Sequence, residues 1–142
     1  MPTMYQQCEN APCVNVCPTG ASYRDPGTNV VLVDKEKCIG CKYCMMACPY
    51  GVRDWNKEEK VVEKCTLCEH LTSQGKVPYC VNVCSVQCRY YGDLDDPDSD
   101  VSKAIAAKPD AVHTLKDFGN HPSTIYLLSK KYCDWHEEVE KQ

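Results

Sequence analysis

Cys38-Ile39-Gly40-Cys41-Lys42-Tyr43-Cys44-Met45-Met46-Ala47-Cys48-Pro49 carries four cysteines in the pattern C-x2-C-x2-C-x3-C-P. At this spacing thiolates wrap iron–sulfur cubanes, with three cysteines on one cluster and the fourth carried away toward a neighbouring one. Pro49 stops the short helical turn that would otherwise continue past Cys48.

Two further cysteine sets flank this stretch. The first reads Tyr5-Gln6-Gln7-Cys8-Glu9-Asn10-Ala11-Pro12-Cys13-Val14-Asn15-Val16-Cys17-Pro18. The third joins Cys65-Thr66-Leu67-Cys68-Glu69-His70 to Pro78-Tyr79-Cys80-Val81-Asn82-Val83-Cys84-Ser85. Both contain the pentapeptide Cys-Val-Asn-Val-Cys and both are preceded by Cys-Glu, so the chain repeats itself. The third set carries an insertion, His70 to Pro78, whose Ser73 and Gly75 predict a surface loop. Laying the copies together puts Tyr5 where the third set has Cys65. A phenol is a poor substitute for thiolate at iron, so Tyr5 is expected to pack over a cluster edge. The open corner leaves two outcomes: loss of one iron to give a [3Fe–4S] centre, or four irons with another group on the fourth.

The chain has 142 residues, thirteen of them cysteine, and a single Phe, Phe118. That cysteine share lies in the range of about 8–10% that marks a cysteine-framed scaffold. Scattered apolar residues predict a small core, of the kind that metals or disulfides support. The odd cysteine count and an N-terminus without basic and apolar leader regions favour metal over disulfides and predict a cytoplasmic site. A formal charge of −4 is unlike a nucleic-acid footprint. No run reaches the roughly 18 apolar residues of a membrane span.

The rest of the chain predicts a small α+β, ferredoxin-like fold nucleated by cofactor, with short β-hairpins and an extended C-terminal wrap. Ala21-Ser22-Tyr23, the turn at Pro26-Gly27 and Val30-Val31-Leu32-Val33 form one hairpin. Tyr50 to Trp55, the turn Lys57-Glu58-Glu59-Lys60 and Val61-Val62 form a second. The acidic run Asp93 to Asp100 lacks the ligand order of a calcium loop. Asp98 or Ser99 there caps a helix over about 100–108, ended by Pro109. Residues 110–128 read as an extended wrap and 134–142 as a charged helix. Residues 1–92 are expected to form the cluster domain and 93–142 a partner-contacting extension. His70, His113, His121 and His136 have no paired metal spacing.

The cross-over rule gives a wiring. Cys38, Cys41 and Cys44 hold one [4Fe–4S] cluster with Cys17 as its fourth ligand. Cys8 and Cys13 share a second with Cys48, with nothing at Tyr5. Cys65, Cys68 and Cys80 hold a third, with Cys84 as the leading candidate beside it. Cys88 and Cys133 are expected to be free, buried thiols. Lys42 and Arg53 are either charges that tune potential or docking, or simply solvated. A zinc-stabilised module pairing Cys38/Cys41 with Cys65/Cys68 is the alternative of another class, and a free-standing ferredoxin carrier is the alternative within electron transfer.

These motifs, with Tyr50-Gly51-Val52-Arg53, Tyr91-Gly92-Asp93-Leu94-Asp95-Asp96-Pro97 and His121-Pro122-Ser123-Thr124-Ile125-Tyr126, resemble the iron–sulfur electron-transfer subunits of the dimethyl sulfoxide reductase family of molybdopterin oxidoreductases. The resemblance implies a non-catalytic relay between a molybdopterin catalytic subunit and a membrane-anchor subunit or other redox partner. It also implies membrane association through partners, or export beside a signal-bearing one. Three departures stand out. The family's first cysteine motif is absent here, through a shortened subunit or missing upstream sequence. Tyr5 stands where the family has cysteine, and Ser85 where it has proline.

Overall fold

The structure, a computed structural model, describes residues 3–129. The described residues divide into two compact units: 3–67 with Asp117–Thr124, and Cys68–Lys116 with 125–129.

The first unit is built from two antiparallel hairpins and two single-turn helices. Strands β1 (Ser22–Arg24) and β2 (Val31–Val33) pair in the register Ser22↔Val33, Tyr23↔Leu32, Arg24↔Val31. Asp25 makes the turn between them, its Oδ2 accepting from the backbone N–H of Gly27 and Thr28 and from the Thr28 hydroxyl. Strands β3 (Asp54–Asn56) and β4 (Val61–Glu63) pair Trp55 with Val62, and Asn56 Oδ1 closes that turn on the N–H groups of Glu58 and Glu59. Both expected hairpins are present. Helices α1 (Pro12–Asn15) and α2 (Tyr43–Met46) are four residues each. A helix this short does not stand alone in water. Pro12, whose fixed φ suits a first helical turn, starts α1.

The core of this unit is small and sulfur-rich: Tyr5, Cys8, Ala11, Cys13, Val31, Cys44 and Val62, with Val14, Met45, Tyr50, Val52 and Trp55 packed against it. Residues 6–10 run along it as a seam. On one side Gln7 Oε1 accepts from Val31 N–H at 3.0 Å, and the Arg24 guanidinium donates to the carbonyls of Cys8 and Glu9. On the other, Asp117–Thr124 returns from far along the sequence. Glu9 and Asn10 N–H donate to the carbonyls of His121 and Asn120, and Ser123 N–H to that of Gln6.

The second unit holds α3 (Glu69–Thr72), α4 (Tyr79–Asn82), α5 (Asp100–Ala106), a 3₁₀ turn at Pro109–Ala111, and a third hairpin. Ser99 caps α5 as expected, its Oγ accepting from Ser102 N–H. The insertion after Cys68 begins with the turn of α3 instead of running wholly as loop. The stretch read as an extended wrap contains β5 (Val112–Thr114) paired antiparallel with β6 (Ile125–Leu127). The repeated pentapeptide folds alike in both copies, as α1 and α4. The expected helix over 134–142 and Cys133 lie outside the described residues.

Among the described residues no helix is long and apolar enough to cross a membrane.

Candidate metal centre

Four of the thiols expected together do meet. Cys17, Cys38, Cys41 and Cys44 line one cavity, with Thr19, Ala21, Ser22, Val33, Ile39, Lys42, Arg53 and Val62 as its remaining wall. Its atom-free space is about 330 Å³, part of it open to solvent. The loop Cys38–Cys41 is shaped by Gly40, at φ +68°. A Cβ there would lie 2.8 Å from the Lys60 carbonyl oxygen and 2.9 Å from Trp55 Cη2, so only glycine fits. Lys42 then enters α2 in the left-handed conformation and lays its Nζ 4.2 Å from the centre of the Trp55 ring. Lys42 is thus exposed and stacked, whereas Arg53 is not a solvated charge at all.

Arg53 is 3% exposed. Its Nη2 donates to Ser22 Oγ at 2.8 Å, while Nε and Nη1 have no hydrogen-bond partner. A buried guanidinium with orphaned donors is costly unless negative charge stands beside it. The cavity's four thiols supply a site for that charge. A cubane and its thiolates are anionic as a group, so donor set and orphaned cation both fit an iron–sulfur cluster. Among the described residues no three His, Cys, Asp or Glu side chains converge on a point for a single metal ion. The alternative pairing of Cys38/Cys41 with Cys65/Cys68 is not brought together: Cys38 and Cys41 line the cavity, whereas Cys65 lines a different groove, with Tyr5, Tyr50, Asp54, Glu63 and Lys64.

The sulfur atoms are hydrogen-bonded individually. Cys17 Sγ accepts from Ser22 N–H at 3.4 Å and lies 3.7 Å from Thr19 Oγ1. Burial acts to raise this thiol, but these donors outweigh it and hold it below the ordinary cysteine value. Burial raises the Cys44 thiol, opposed by the Arg53 charge and reinforced by the neighbouring Cys13 and Cys17.

The second expected set is also gathered. Burial raises the Cys8 thiol, and Cys13 and Cys48 lie near enough for their charges to raise it further. Against both effects Asn120 Nδ2 donates to Cys8 Sγ at 3.0 Å. Tyr5 sits in the same core, 8% exposed, with its hydroxyl 3.3 Å from Cys13 Sγ. Burial first, then Cys13, drive its hydroxyl far above the ordinary phenol value. Lys64 Nζ stands 4.3 Å from the centre of the Tyr5 ring and donates to the carbonyls of Val31 and Cys65. Burial, then Arg53, push its ammonium down to about 8.

The third set is divided, Cys65 belonging to the first unit and Cys68, Cys80 and Cys84 to the second. Cys68 Sγ accepts from Tyr79 N–H at 3.4 Å. Cys84 Sγ lies 3.5 Å from Cys88 Sγ, and Cys88 is exposed, not the buried thiol expected. After each motif's last cysteine the same turn recurs. Gly20, Gly51 and Gln87 have positive φ and donate their N–H to the carbonyls of Cys17, Cys48 and Cys84.

The sequence reading missed Asn120 altogether and left Arg53 undecided. Asn120 lies 112 residues from its sulfur, and no local pattern links them.

The sequence profile of the 4Fe-4S dicluster domain matches residues 1–94. The chain is 47% identical over 130 residues to a subunit of the sulfite dehydrogenase of Allochromatium vinosum, covering 87% of this chain and 54% of that protein. It is 40% identical over 129 residues to a subunit of the tetrathionate reductase of Salmonella typhimurium, covering 89% and 51%. It is 47% identical over 104 residues to thiosulfate reductase electron transfer subunit PhsB of Salmonella typhi, covering 72% and 53%. The chain spans about half the length of these curated relatives.

Proposed function

We propose, for a chain that belongs to the 4Fe-4S dicluster domain family and to the iron–sulfur subunits of molybdopterin oxidoreductases, that it relays single electrons to and from a molybdopterin catalytic subunit without itself catalysing a reaction. The observation that carries this reading is the cavity where Cys17, Cys38, Cys41 and Cys44 face a buried, half-satisfied Arg53.

Bound there, an iron–sulfur cluster takes up or gives away one electron. The four cysteines hold it, Ser22 N–H and the Thr19 hydroxyl orient the Cys17 sulfur, and Arg53 offsets its charge. Val33 and Val62 line the inner wall, which lowers the local dielectric and makes each of these interactions stronger. Cys8, Cys13 and Cys48 would hold a second cluster, beside the buried Tyr5, whose hydroxyl lies 3.3 Å from Cys13 Sγ. Cys65, Cys68 and Cys80, with Cys84, are carried as a third ligand set by their spacing alone. Residues 93–142 are assigned mainly to partner contact, apart from the 117–124 segment packed in the first unit. Ile39, Tyr43 and Met46, all largely exposed, lie on the same stretch of chain as the exposed Cys41. Apolar residues around a solvent-facing ligand suit a protein surface docking where the electron leaves, in keeping with a member of a complex and not a diffusing carrier. The further partner is a membrane-anchor subunit or another redox protein, and membrane association comes through partners.

Iron and acid-labile sulfide content, with low-temperature EPR of the isolated and reduced chain, tests the reading. At least two clusters are expected, and Cys44→Ser should remove or convert one of them. A colourless chain with stoichiometric zinc would refute it. A monomer that binds no larger redox partner would favour the free carrier.

A further inference from the structure

We propose that Asn120 sets the reduction potential of the cluster on Cys8, Cys13 and Cys48, a role that rests on Cys8 serving as a ligand. Asn120 is 2% exposed and donates from Nδ2 to Cys8 Sγ at 3.0 Å. Its amide orientation is fixed by its neighbours. Phe118 N–H can only donate, and it points at Oδ1 from 3.2 Å, so Oδ1 faces the loop and Nδ2 the sulfur. Tyr50 Oη takes the second proton of Nδ2, at 2.9 Å.

Protein contacts around the loop hold the residue in place. Asp117 Oδ1 accepts from the N–H groups of Gly119, Asn120 and His121, and the Asn120 carbonyl accepts from Asn10 N–H. The contact is therefore preorganised, dry and aimed at one sulfur. The donors on Cys17, at 3.4 and 3.7 Å, are longer. A donor on a ligand sulfur favours the cluster state with the extra electron, more so away from water. The cluster gains one electron, no proton moves, and the amide's positive end meets the added charge. Its presence raises the potential.

Asn120→Ala removes the donor and leaves the Asp117 turn and the backbone pairing with residues 9 and 10 in place. EPR-monitored redox titration should show the signal that Cys8→Ser alters moving to lower potential. The expected size is about a tenfold fall in the reduced-to-oxidised ratio at fixed potential, equivalent to about 59 mV for one electron, with iron content unchanged. An unchanged or raised midpoint with iron retained overturns the proposal. Should Asn120→Ala lose the cluster, pulsed EPR of the unaltered chain labelled with ¹⁵N in asparagine side chains decides it. Nitrogen coupling to that signal supports the contact, and its absence refutes it. If Cys8→Ser alters no signal, the failure lies with Cys8 as a ligand, and the assignment of Asn120 goes with it.

Discussion

Gly40→Ala adds one methyl group at the tightest point of the cluster loop. Two costs follow from the geometry. At φ +68° an alanine meets the left-handed penalty of about 1–2 kcal/mol. Its Cβ would also stand 2.8 Å from the Lys60 carbonyl oxygen and 2.9 Å from Trp55 Cη2. Trp55 can turn, but the carbonyl is backbone at the end of a two-strand hairpin, so relief must come from moving the Cys38–Cys41 loop. Overpacking of this kind costs about 1–3 kcal/mol. The sum, about 2–5 kcal/mol, is a large part of the roughly 5–15 kcal/mol that holds a domain folded. Gly20→Ala is the control, since Gly20 has φ +67° and nothing within 4 Å of a Cβ. It carries only the backbone cost. Anaerobic urea titration, followed by cluster absorbance, should place Gly40→Ala well below Gly20→Ala, with iron lost first from the cluster whose signal depends on Cys44. Equal losses in the two variants would refute the close-approach argument.

Arg53→Met should lower the potential of the cluster bounded by Cys17 and Cys44, because a buried cation beside the added electron is gone; potentiometric EPR measures it, and an unchanged midpoint would show that the guanidinium's charge is screened. Tyr5→Cys should convert any [3Fe–4S] signal from the Cys8, Cys13 and Cys48 set to a four-iron one in low-temperature EPR, since a thiol then stands at the open corner. The third concerns acid. The backbone N–H of His121 first, with its ring and the Gly119 N–H, outweighs desolvation and holds the Asp117 carboxyl below the usual carboxylate range. A depressed folded value means its stabilisation of the 117–121 turn is complete above the ordinary aspartate pKa and is lost as pH falls through the folded one. Amide exchange at Gly119, Asn120 and His121, corrected for intrinsic rates, should lose protection over that acid window, and Asp117→Asn should flatten the dependence.

The cysteine spacing made the first cavity legible because its thiols are local: Cys38, Cys41 and Cys44 share one loop, and only Cys17 comes from elsewhere. The two expected hairpins were legible for a similar reason, with turn residues beside β-branched runs. Ser99 as the cap of α5 followed from its place ahead of a helix-favouring stretch. The hairpin of β5 and β6 was not legible, since each strand is three residues and ten residues separate them. Arg53 was left open because a charged side chain is almost always solvated; only the folded cavity shows it buried. Asn120 escaped because a hydrogen bond to sulfur across 112 residues has no signature in sequence. Cys88 was expected buried by the habit of free thiols, yet it is exposed, directly after the positive-φ turn at Gln87.

The return of Asp117–Thr124 to the seam at residues 6–10 bears on the order of events during synthesis. Cys8 leaves the ribosome early, but the segment that pairs with residues 6–10 and the amide that bonds its sulfur emerge more than a hundred residues later. Closing so long a loop comes late, because contacts distant in sequence form after local ones. The loop of Cys38, Cys41 and Cys44 has no such dependence on the far end of the chain. Cluster assembly is therefore expected to be staggered, the Cys44 centre forming on a chain still short of residue 117 and the Cys8 centre only once the seam is shut.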